Sequence, residues 1–286
     1  MKGLDIPAPV EDFTADPVEL FFDLAYVFAF SQLVVLLLEE PNWTGVGRAA
    51  LVFVLLWLPW SQITWAANAV AGNSRFARLT FLAATAASVP MAASVSTAFD
   101  QGGLLLAVPL SFITLTGLSL VIYAARGDDE AMRAARNYGI PLVLAIVVIL
   151  IGGVLEDEAR VVAWIVGILI FLVNTVMAGG EKWVMRAGHF AERHGLIVIV
   201  ALGEVIVAVG KPLVDSLEEG EGFPAASVLA LAAAGVFACL LWWAYFDRPQ
   251  PAFEHRMTQI EDDAERAQMG RDLYTYVHAP MVAGVI

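Results

Sequence analysis

The sequence predicts an all-α integral membrane protein, folded as a polytopic helical bundle. Hydrophobic residues make up 59% of the 286 residues and charged residues only 16%, whereas soluble domains have about 45–50% and about 25%. The mean hydropathy is +0.73. The apolar residues form continuous runs of the roughly 20 residues that a helix needs to cross a bilayer, unlike the alternating strands of about ten residues in a barrel. No long polar stretch separates the runs, so we expect one membrane domain without a soluble module.

The apolar runs predict about nine helical spans in chain order. They cover residues 18–38, 48–70, 77–99, 103–125, 137–155, 159–178, 190–211, 224–246 and 273 onward. Residues 1–17 are acidic and lack a basic n-region, which predicts a cytoplasmic N-terminal segment and no cleavable signal peptide. The charged segment before the ninth span has apolar residues at helical spacing, which predicts a short amphipathic helix on the cytoplasmic surface.

The distribution of basic residues predicts the orientation. If the N-terminus is cytoplasmic, 13 of the 16 lysines and arginines lie on the cytoplasmic side. The other three are Arg48, Arg160 and Lys211. By the positive-inside rule, we expect a multi-pass protein of the inner (plasma) membrane with a cytoplasmic N-terminus.

An internal repeat is a further prediction. The runs that begin at Glu19 and Glu192 each start with an acid and carry a polar residue about twelve positions later. The helix after each run carries a tryptophan pair after leucines. Parallel repeats of this kind are a transporter trait, although chance similarity between apolar helices is the alternative. We therefore predict a two-times-six parallel repeat, with a first six-helix repeat at 18–178 and a second at 179–286 that is truncated in its third helix.

Two carboxylates near the start of the first span are the first candidate functional residues. A charge within a membrane helix costs about 2.5–3.5 kcal/mol on insertion scales. Glu19 and Asp23 are four residues apart and share one helix face. Glu19 lies in the first turn, where an acid also suits the helix dipole, so its role has a structural alternative. Asp23 lies deeper and favours a proton or cation site.

The seventh span carries the largest set of candidates. On a helix, His189, Glu192, Arg193 and Glu204 lie within one arc of about 120°. Glu204 lies about 18 Å deeper than Glu192, near the bilayer centre. A carboxylate there suits a proton carrier, and a structural, arginine-paired glutamate is the alternative. We expect Gly203 beside it to permit a close helix approach.

Two more candidates lie at the cytoplasmic ends of later spans. Asp247 follows an aromatic run, and we expect it to pair with Arg193 or Arg271. His278 begins the ninth span, and its ordinary pKa near about 6.5 suits a proton relay. A structural role is the alternative for both residues.

Four ordered motifs resemble the bacterial low temperature requirement A (LtrA) family. They are Val18-Glu-Leu-Phe-Phe-Asp-Leu24, the run 189–204, Trp242-Trp-Ala-Tyr-Phe-Asp247 and Arg271-Asp-Leu-Tyr-Thr-Tyr-Val-His-Ala-Pro280. The resemblance runs from about residue 10 to the end, and it implies a multi-pass inner-membrane protein linked by name to growth in the cold. It supplies no catalytic residues. The second span departs from the family's Trp-Trp-rich run by reading Trp57-Leu-Pro-Trp60, and the family also continues beyond residue 286.

Several function classes lack their signatures. We find no phosphate-binding glycine loop, no nucleophile elbow and no basic nucleic-acid patch. The spacing of His189 and His194 does not suit a shared metal, and Cys239 is the only cysteine. We therefore expect no metal, no cofactor and no nucleic-acid partner. The sequence leaves open whether the chain is an enzyme and favours a non-enzymatic function.

The leading hypothesis is a proton- or cation-coupled transporter or channel-like carrier of an unknown small substrate in the lipid bilayer. Asp23 and Glu204 would bind the ion. The cytoplasmic gate network would comprise Glu19, His189, Glu192, Arg193 and Asp247. One alternative is a structural or sensory membrane protein in which the charges hold helices together. Another is an intramembrane enzyme that acts on lipid, with the carboxylates and histidine as acid and base.

Overall fold

The structure is a computed structural model that describes residues 15–70, 74–178, 185–218 and 224–286. Within these ranges it contains helices and no strands. The elements are α1 (Pro17–Glu39), α2 (Trp43–Ala69), α3 (Arg75–Ala93), α4 (Gly103–Ala124), α5 (Asp129–Val154), α6 (Asp157–Met177), α7 (Ala187–Glu218), α8 (Ala225–Phe246), α9 (Pro249–Thr258), α10 (Asp263–Gly270), a π-helical segment (Arg271–Val277) and α11 (His278–Val285).

Among the described residues, eight helices are long and apolar enough to cross a membrane. The predicted class of polytopic helical membrane protein is thus confirmed. Several boundaries differ from prediction. The largest differences are that α5 begins at Asp129 and not at 137, α7 ends at Glu218 and not at 211, and α3 ends at Ala93 and not at 99. The ninth predicted span corresponds to the π-helical segment and α11. The internal repeat and its division of the chain stay predictions.

Helix α1 begins with a capping box that fixes its first turn. Asp16 precedes the helix, and its side chain accepts a hydrogen bond from the backbone N–H of Val18 at 3.1 Å. The Glu19 carboxylate accepts from the Asp16 backbone N–H at 3.4 Å. Pro17 occupies the first helical position, where its missing N–H costs nothing. The structural interpretation of Glu19 as a first-turn acid therefore applies to this residue.

Helix α2 forms the centre of the bundle. About 72% of its most apolar stretch is buried, compared with 6% for α8. It packs against α1, α4, α6, α7 and α11. Its large buried side chains, Trp57 and Trp60, belong to the main core, together with Phe22 of α1. Any group attached to α2 is therefore in contact with most of the bundle.

Helices α1 and α7 pack against each other although more than 140 residues separate them. Both begin at the same face of the bundle, which we term the N-terminal face, because successive crossing helices alternate in direction. Helices α9 and α10 also lie at this face, where the charged segment forms two short helices and not the single one expected. Met257 of α9 packs in a small core with Phe190 of α7 and Tyr274 of the π-helical segment.

Candidate functional site

A buried charged cluster joins the first turns of α1 and α7. Arg193 is fully buried, and its Nη1 donates to Glu19 Oε2 at 3.0 Å. The Arg193 Nε donates to Asp23 Oδ2 at 3.3 Å, and Nη2 donates to Asp23 Oδ1. His189 Nε2 lies 3.0 Å from Glu19 Oε2. We term Glu19, Asp23, His189 and Arg193 the Arg193 cluster.

Helix geometry explains why these four side chains meet. Glu19 and Asp23 are four residues apart on α1, and His189 and Arg193 are four residues apart on α7. Residues at this spacing stack on one face of a helix. Because α1 and α7 pack together in the same direction, the acidic pair of one helix faces the basic pair of the other.

Aromatic side chains enclose the Arg193 cluster. Trp60 Nε1 donates to Asp23 Oδ1 at 2.8 Å. The Arg193 guanidinium carbon lies 5.8 Å from the centre of the Trp60 ring and 5.7 Å from that of Phe81. Both distances suit cation–π attraction. The ion pairs therefore lie in surroundings of low polarity, where charge interactions are strong and unpaired charge is costly.

Among the four described residues of the Arg193 cluster, the formal charges sum to zero when one proton is bound. Two carboxylates contact one permanently charged guanidinium and one imidazole, which is charged only when protonated. One proton, on His189 or on a carboxylate, brings the contacting groups to zero net charge. The arrangement can therefore bind a single exchangeable proton.

Glu192 lies beside the cluster and has a different role. Its Oε2 accepts a hydrogen bond from the backbone N–H of Ala15 at 2.8 Å. Glu192 thus ties the residue that precedes the α1 capping box to α7. The contact fixes the first turn of α1, and with it Glu19, against α7.

A second group of buried rings surrounds His194. The ring centres of four neighbours lie 4.6–5.3 Å from that of His194, and they are Phe190, Trp60, Tyr274 and His278. His194 Nδ1 donates to the Phe190 carbonyl at 2.9 Å. Its Nε2 is buried without a hydrogen-bond partner in the described part of the chain. Trp60 therefore contacts both this ring group and the Arg193 cluster.

His278 lies in the same ring group. Its Nε2 is 2.8 Å from the Tyr245 hydroxyl of α8, and its Nδ1 donates to the Leu273 carbonyl at 2.8 Å. The structure therefore places His278 next to His194 and outside contact distance of the Arg193 cluster. Both of its ring nitrogens are occupied, so any proton relay through His278 must use Tyr245.

The π-helical segment docks on one face of α2. Trp57 Nε1 donates to the Thr275 carbonyl at 2.8 Å. Trp65 Nε1 donates to Thr275 Oγ1 at 3.0 Å, and Ser61 Oγ lies 3.0 Å from the same oxygen. The three α2 residues recur every four positions and so form one face. π-helical turns occur frequently at functional sites, which makes Thr275 a candidate that the sequence did not suggest.

Besides His278, two predicted site residues lie away from the cluster. Glu204 is buried further along α7 and makes no hydrogen bond or ion pair with any described residue. The close helix approach expected at Gly203 is wrong, since a Cβ added there would meet open space.

Asp247 forms an ion pair with its neighbour Arg248 at 3.4 Å. The expected pairing of Asp247 with Arg193 or Arg271 is therefore wrong.

Sequence reasoning missed Trp60, His194 and Thr275 as parts of the site. The position of a tryptophan within an apolar helix does not indicate which group its indole N–H will bond to. One available signal was the matched spacing, because both α1 and α7 carry polar residues four apart near their first turns. This spacing makes the two pairs complementary, but the Glu19–Arg193 contact follows only once α1 and α7 are known to be neighbours.

Comparison with known proteins agrees with these features. The chain matches the family model of the bacterial low temperature requirement A protein (LtrA) over residues 14–286. The chain belongs to this family. This LtrA-family chain is 30% identical over 282 residues to an uncharacterized protein of Rhizobium meliloti (strain 1021). The alignment covers 94% of the chain and 66% of that relative, so the chain spans just under two thirds of the relative's length. No solved structure matches this LtrA-family chain.

Proposed function

We propose that this LtrA-family protein is a proton-coupled membrane transporter and that the Arg193 cluster is its proton-binding site. The observation that carries the proposal is the buried set of two carboxylates, one guanidinium and one imidazole in direct contact. Ionisable residues within membrane helices are rare and mark proton and substrate pathways. A cluster that reaches zero net charge by binding one proton suits that task.

The position of the cluster supports the proposal. It lies near the N-terminal face, which the positive-inside rule assigns to the cytoplasm. Trp60 connects Asp23 to α2, and α2 contacts five other helices of the bundle. A change in the protonation of Asp23 would weaken or strengthen its hydrogen bond from Trp60, because bonds to a charged acceptor are the stronger ones. The central helix would thereby transmit the change to the rest of the fold.

We assign a role to each member of the cluster and its surroundings. Asp23, Glu19 and His189 share the proton. The positive charge of Arg193 compensates the negative charge of one of the two carboxylates. Glu192 positions the first turn of α1. Glu204, deeper in α7, is the candidate for a second step along the path.

One specific observation favours a second candidate, a structural or sensory role. Arg193 donates to both carboxylates, and Trp60 donates to Asp23, so the cluster also holds α1, α2 and α7 together. In that case neutral substitutions would lower stability and leave every flux unchanged. The two candidates therefore differ in a measurable way.

The test is proton flux in proteoliposomes that carry the full chain and an internal pH-sensitive dye. Wild type, Asp23→Asn and Glu204→Gln are compared under an imposed pH gradient, without and with a panel of small membrane-impermeant solutes outside. We expect wild type to move protons in at least one condition and Asp23→Asn to reduce that flux at least tenfold. Glu158→Gln is the matched control, because Glu158 is an exposed residue at the first turn of α6.

Thermal unfolding of each variant in the same lipids separates loss of function from loss of fold. Equal flux in folded wild type, folded Asp23→Asn and empty liposomes in every condition would refute the transport proposal. Reduced stability of Asp23→Asn together with that result would favour the structural role.

A further inference from the structure

A cavity of about 180 Å³ lies near the N-terminal face, separate from the Arg193 cluster. It lies between α2, α4, α5, α6 and the π-helical segment. Eight of its 18 lining residues are alanines. Larger side chains at those positions would fill the space, so the alanines maintain the cavity.

Most polar groups of the lining already have partners within the protein. Ser61, Trp65 and Thr275 bond to one another, as described above. With its amide oriented so that both atoms are satisfied, Gln62 donates to the Thr114 carbonyl at 3.2 Å and accepts from the Leu118 N–H at 3.1 Å. A ligand therefore gains little by bonding to these groups. The walls present apolar and aromatic surface instead.

Among the described residues that line the cavity, Arg271 is the one that carries a charge. Its side chain is 14% exposed and pairs with Asp272 at 2.7 Å. The Asp272 side chain is 51% exposed, so it is the outer partner of the pair. A carboxylate inside the cavity can take the place of Asp272, because a guanidinium binds carboxylates in a preferred fork geometry.

We propose that this cavity binds a small organic monoanion with one carboxylate and a compact apolar body. The carboxylate binds Arg271, and the body packs against Trp65 and Phe171. The volume limits the size, since a cavity of about 150 Å³ in an engineered protein accommodates benzene. A small free acid fits within this volume, whereas a lipid with full acyl chains would extend out of it.

The inference rests on the proposed function and specifies its substrate class. Trp65 and Ser61 line the cavity, and Trp60 on the same helix contacts Asp23. One rigid helix thus contacts both the cavity and the proton site. A monoanion that moves with one proton carries no net charge across the membrane, which agrees with a site for one exchangeable proton.

The test uses 4-fluorobenzoate as the probe and the full chain in lipid nanodiscs at pH 7. Fluorine NMR titration measures its affinity, with empty nanodiscs as background. We expect saturable binding, and at least tenfold weaker binding of the neutral 4-fluorobenzamide. Arg271→Gln should weaken 4-fluorobenzoate binding at least tenfold, about 1.4 kcal/mol. Arg136→Gln, an exposed arginine on α5, should change the affinity less than twofold.

Two further variants test the geometry. Asp272→Asn should raise the affinity severalfold, because it releases Arg271 from its present partner. Ala134→Leu should remove binding by filling the cavity, whereas Ala232→Leu on the exposed face of α8 should not. Thermal unfolding checks that each variant is folded.

Three results would overturn the inference. They are absence of saturable binding to folded wild type, equal binding of the acid and the amide, and undiminished binding to folded Arg271→Gln. A fourth result would also overturn it, namely that dihexanoyl phosphatidylglycerol displaces the probe while the probe still binds undiminished to Ala134→Leu. That result would assign the Arg271 contact to a lipid headgroup. Binding needs no transport, so absence of proton flux would refute the proposed function without affecting this result.

Discussion

Two arginines are buried at opposite ends of this bundle, and they differ in what they bind. Arg160, in the first turn of α6, donates only to backbone carbonyls, at 2.8 Å to Leu155, 2.8 Å to Ala98 and 2.6 Å to Asp100. Arg193, in the first turns of α7, binds two carboxylates. Both guanidinium groups also lie close to a tryptophan ring. Both arginines therefore lie beside an aromatic ring, but their hydrogen-bond acceptors differ in kind.

The difference separates a structural charge from a functional candidate. Backbone carbonyls do not take up protons near neutral pH, so the Arg160 centre has one state. The Arg160 guanidinium donates hydrogen bonds to two carbonyls of the loop between α3 and α4. These carbonyls lie outside helices and need a donor from elsewhere. Carboxylates and an imidazole do take up protons, so the Arg193 cluster has at least two states. Burial of an arginine alone therefore does not indicate function, whereas titratable partners do.

The largest expected effect comes from removing the Arg193 guanidinium. Arg193→Met leaves two carboxylates buried without their cation, and loss of one partner of a buried ion pair costs about 3–5 kcal/mol. Unfolding in mixed micelles measures the change. The triple variant with Glu19→Gln and Asp23→Asn should recover at least half of the loss, because no charge is then left unpaired. A triple variant as unstable as Arg193→Met would contradict this account of the cluster.

Removing the Arg160 guanidinium should cost less. Arg160→Met leaves three carbonyls without their donor, but Asp100 and Leu155 lie at the exposed end of the bundle, where water can replace it. We expect a loss of about 2–3 kcal/mol in the free energy of unfolding, within the range for bonds to charged groups. Flux through the folded variant should be unchanged. A selective loss of flux would mean that Arg160 has more than a structural role.

The sequence predicts the helices of this bundle better than it predicts the contacts between them. Continuous apolar runs determine the helices, so eight spans and the class follow directly from hydropathy. The acidic pair on α1 and the basic pair on α7 also follow from four-residue spacing. Their mutual contact does not, because it depends on which helices are neighbours, and sequence distance does not encode that. The sequence therefore suggests Arg193 or Arg271 as partners for Asp247, which follows the end of α8, and does not suggest α1 as the partner of Arg193.

The π-helical segment and the cavity could not be predicted for a related reason. Thr275 becomes a hydrogen-bonding centre only because the wider helical turn presents its carbonyl and hydroxyl groups to α2. No residue type in Arg271–Val277 is specific to that geometry. The cavity depends on alanines from several helices and the segments that follow them. Each alanine alone is ordinary, and only the packing reveals the space that they leave.

The next expected effect compares two buried indole N–H groups, one in each centre. Trp60→Phe removes a hydrogen bond to the Asp23 carboxylate, and Trp164→Phe removes one to the Ile149 carbonyl at 3.1 Å. Bonds to charged groups contribute more, so we expect losses of about 2 kcal/mol and about 1 kcal/mol respectively. The same unfolding experiment measures both. Equal losses would indicate that the Asp23 carboxylate is neutral in the folded state.

The smallest expected effect contrasts a glycine on α7, beyond the Arg193 cluster, with a glycine beside the Arg160 centre. A Cβ at Gly203 of α7 would meet open space, so Gly203→Ala should raise the free energy of unfolding by up to about 1 kcal/mol through helix propensity. A Cβ at Gly103 of α4 would lie 2.8 Å from both the Arg160 Cζ and the Gly153 carbonyl oxygen. Gly103→Ala should therefore lower stability, because the Arg160 centre cannot move away from its three carbonyls and Gly103, as the first residue of α4, gains less from helix propensity. A higher free energy of unfolding for both variants would show that the Arg160 guanidinium is free to shift. The contrast between an arginine with a fixed environment and one with titratable partners would then rest on Arg193 alone.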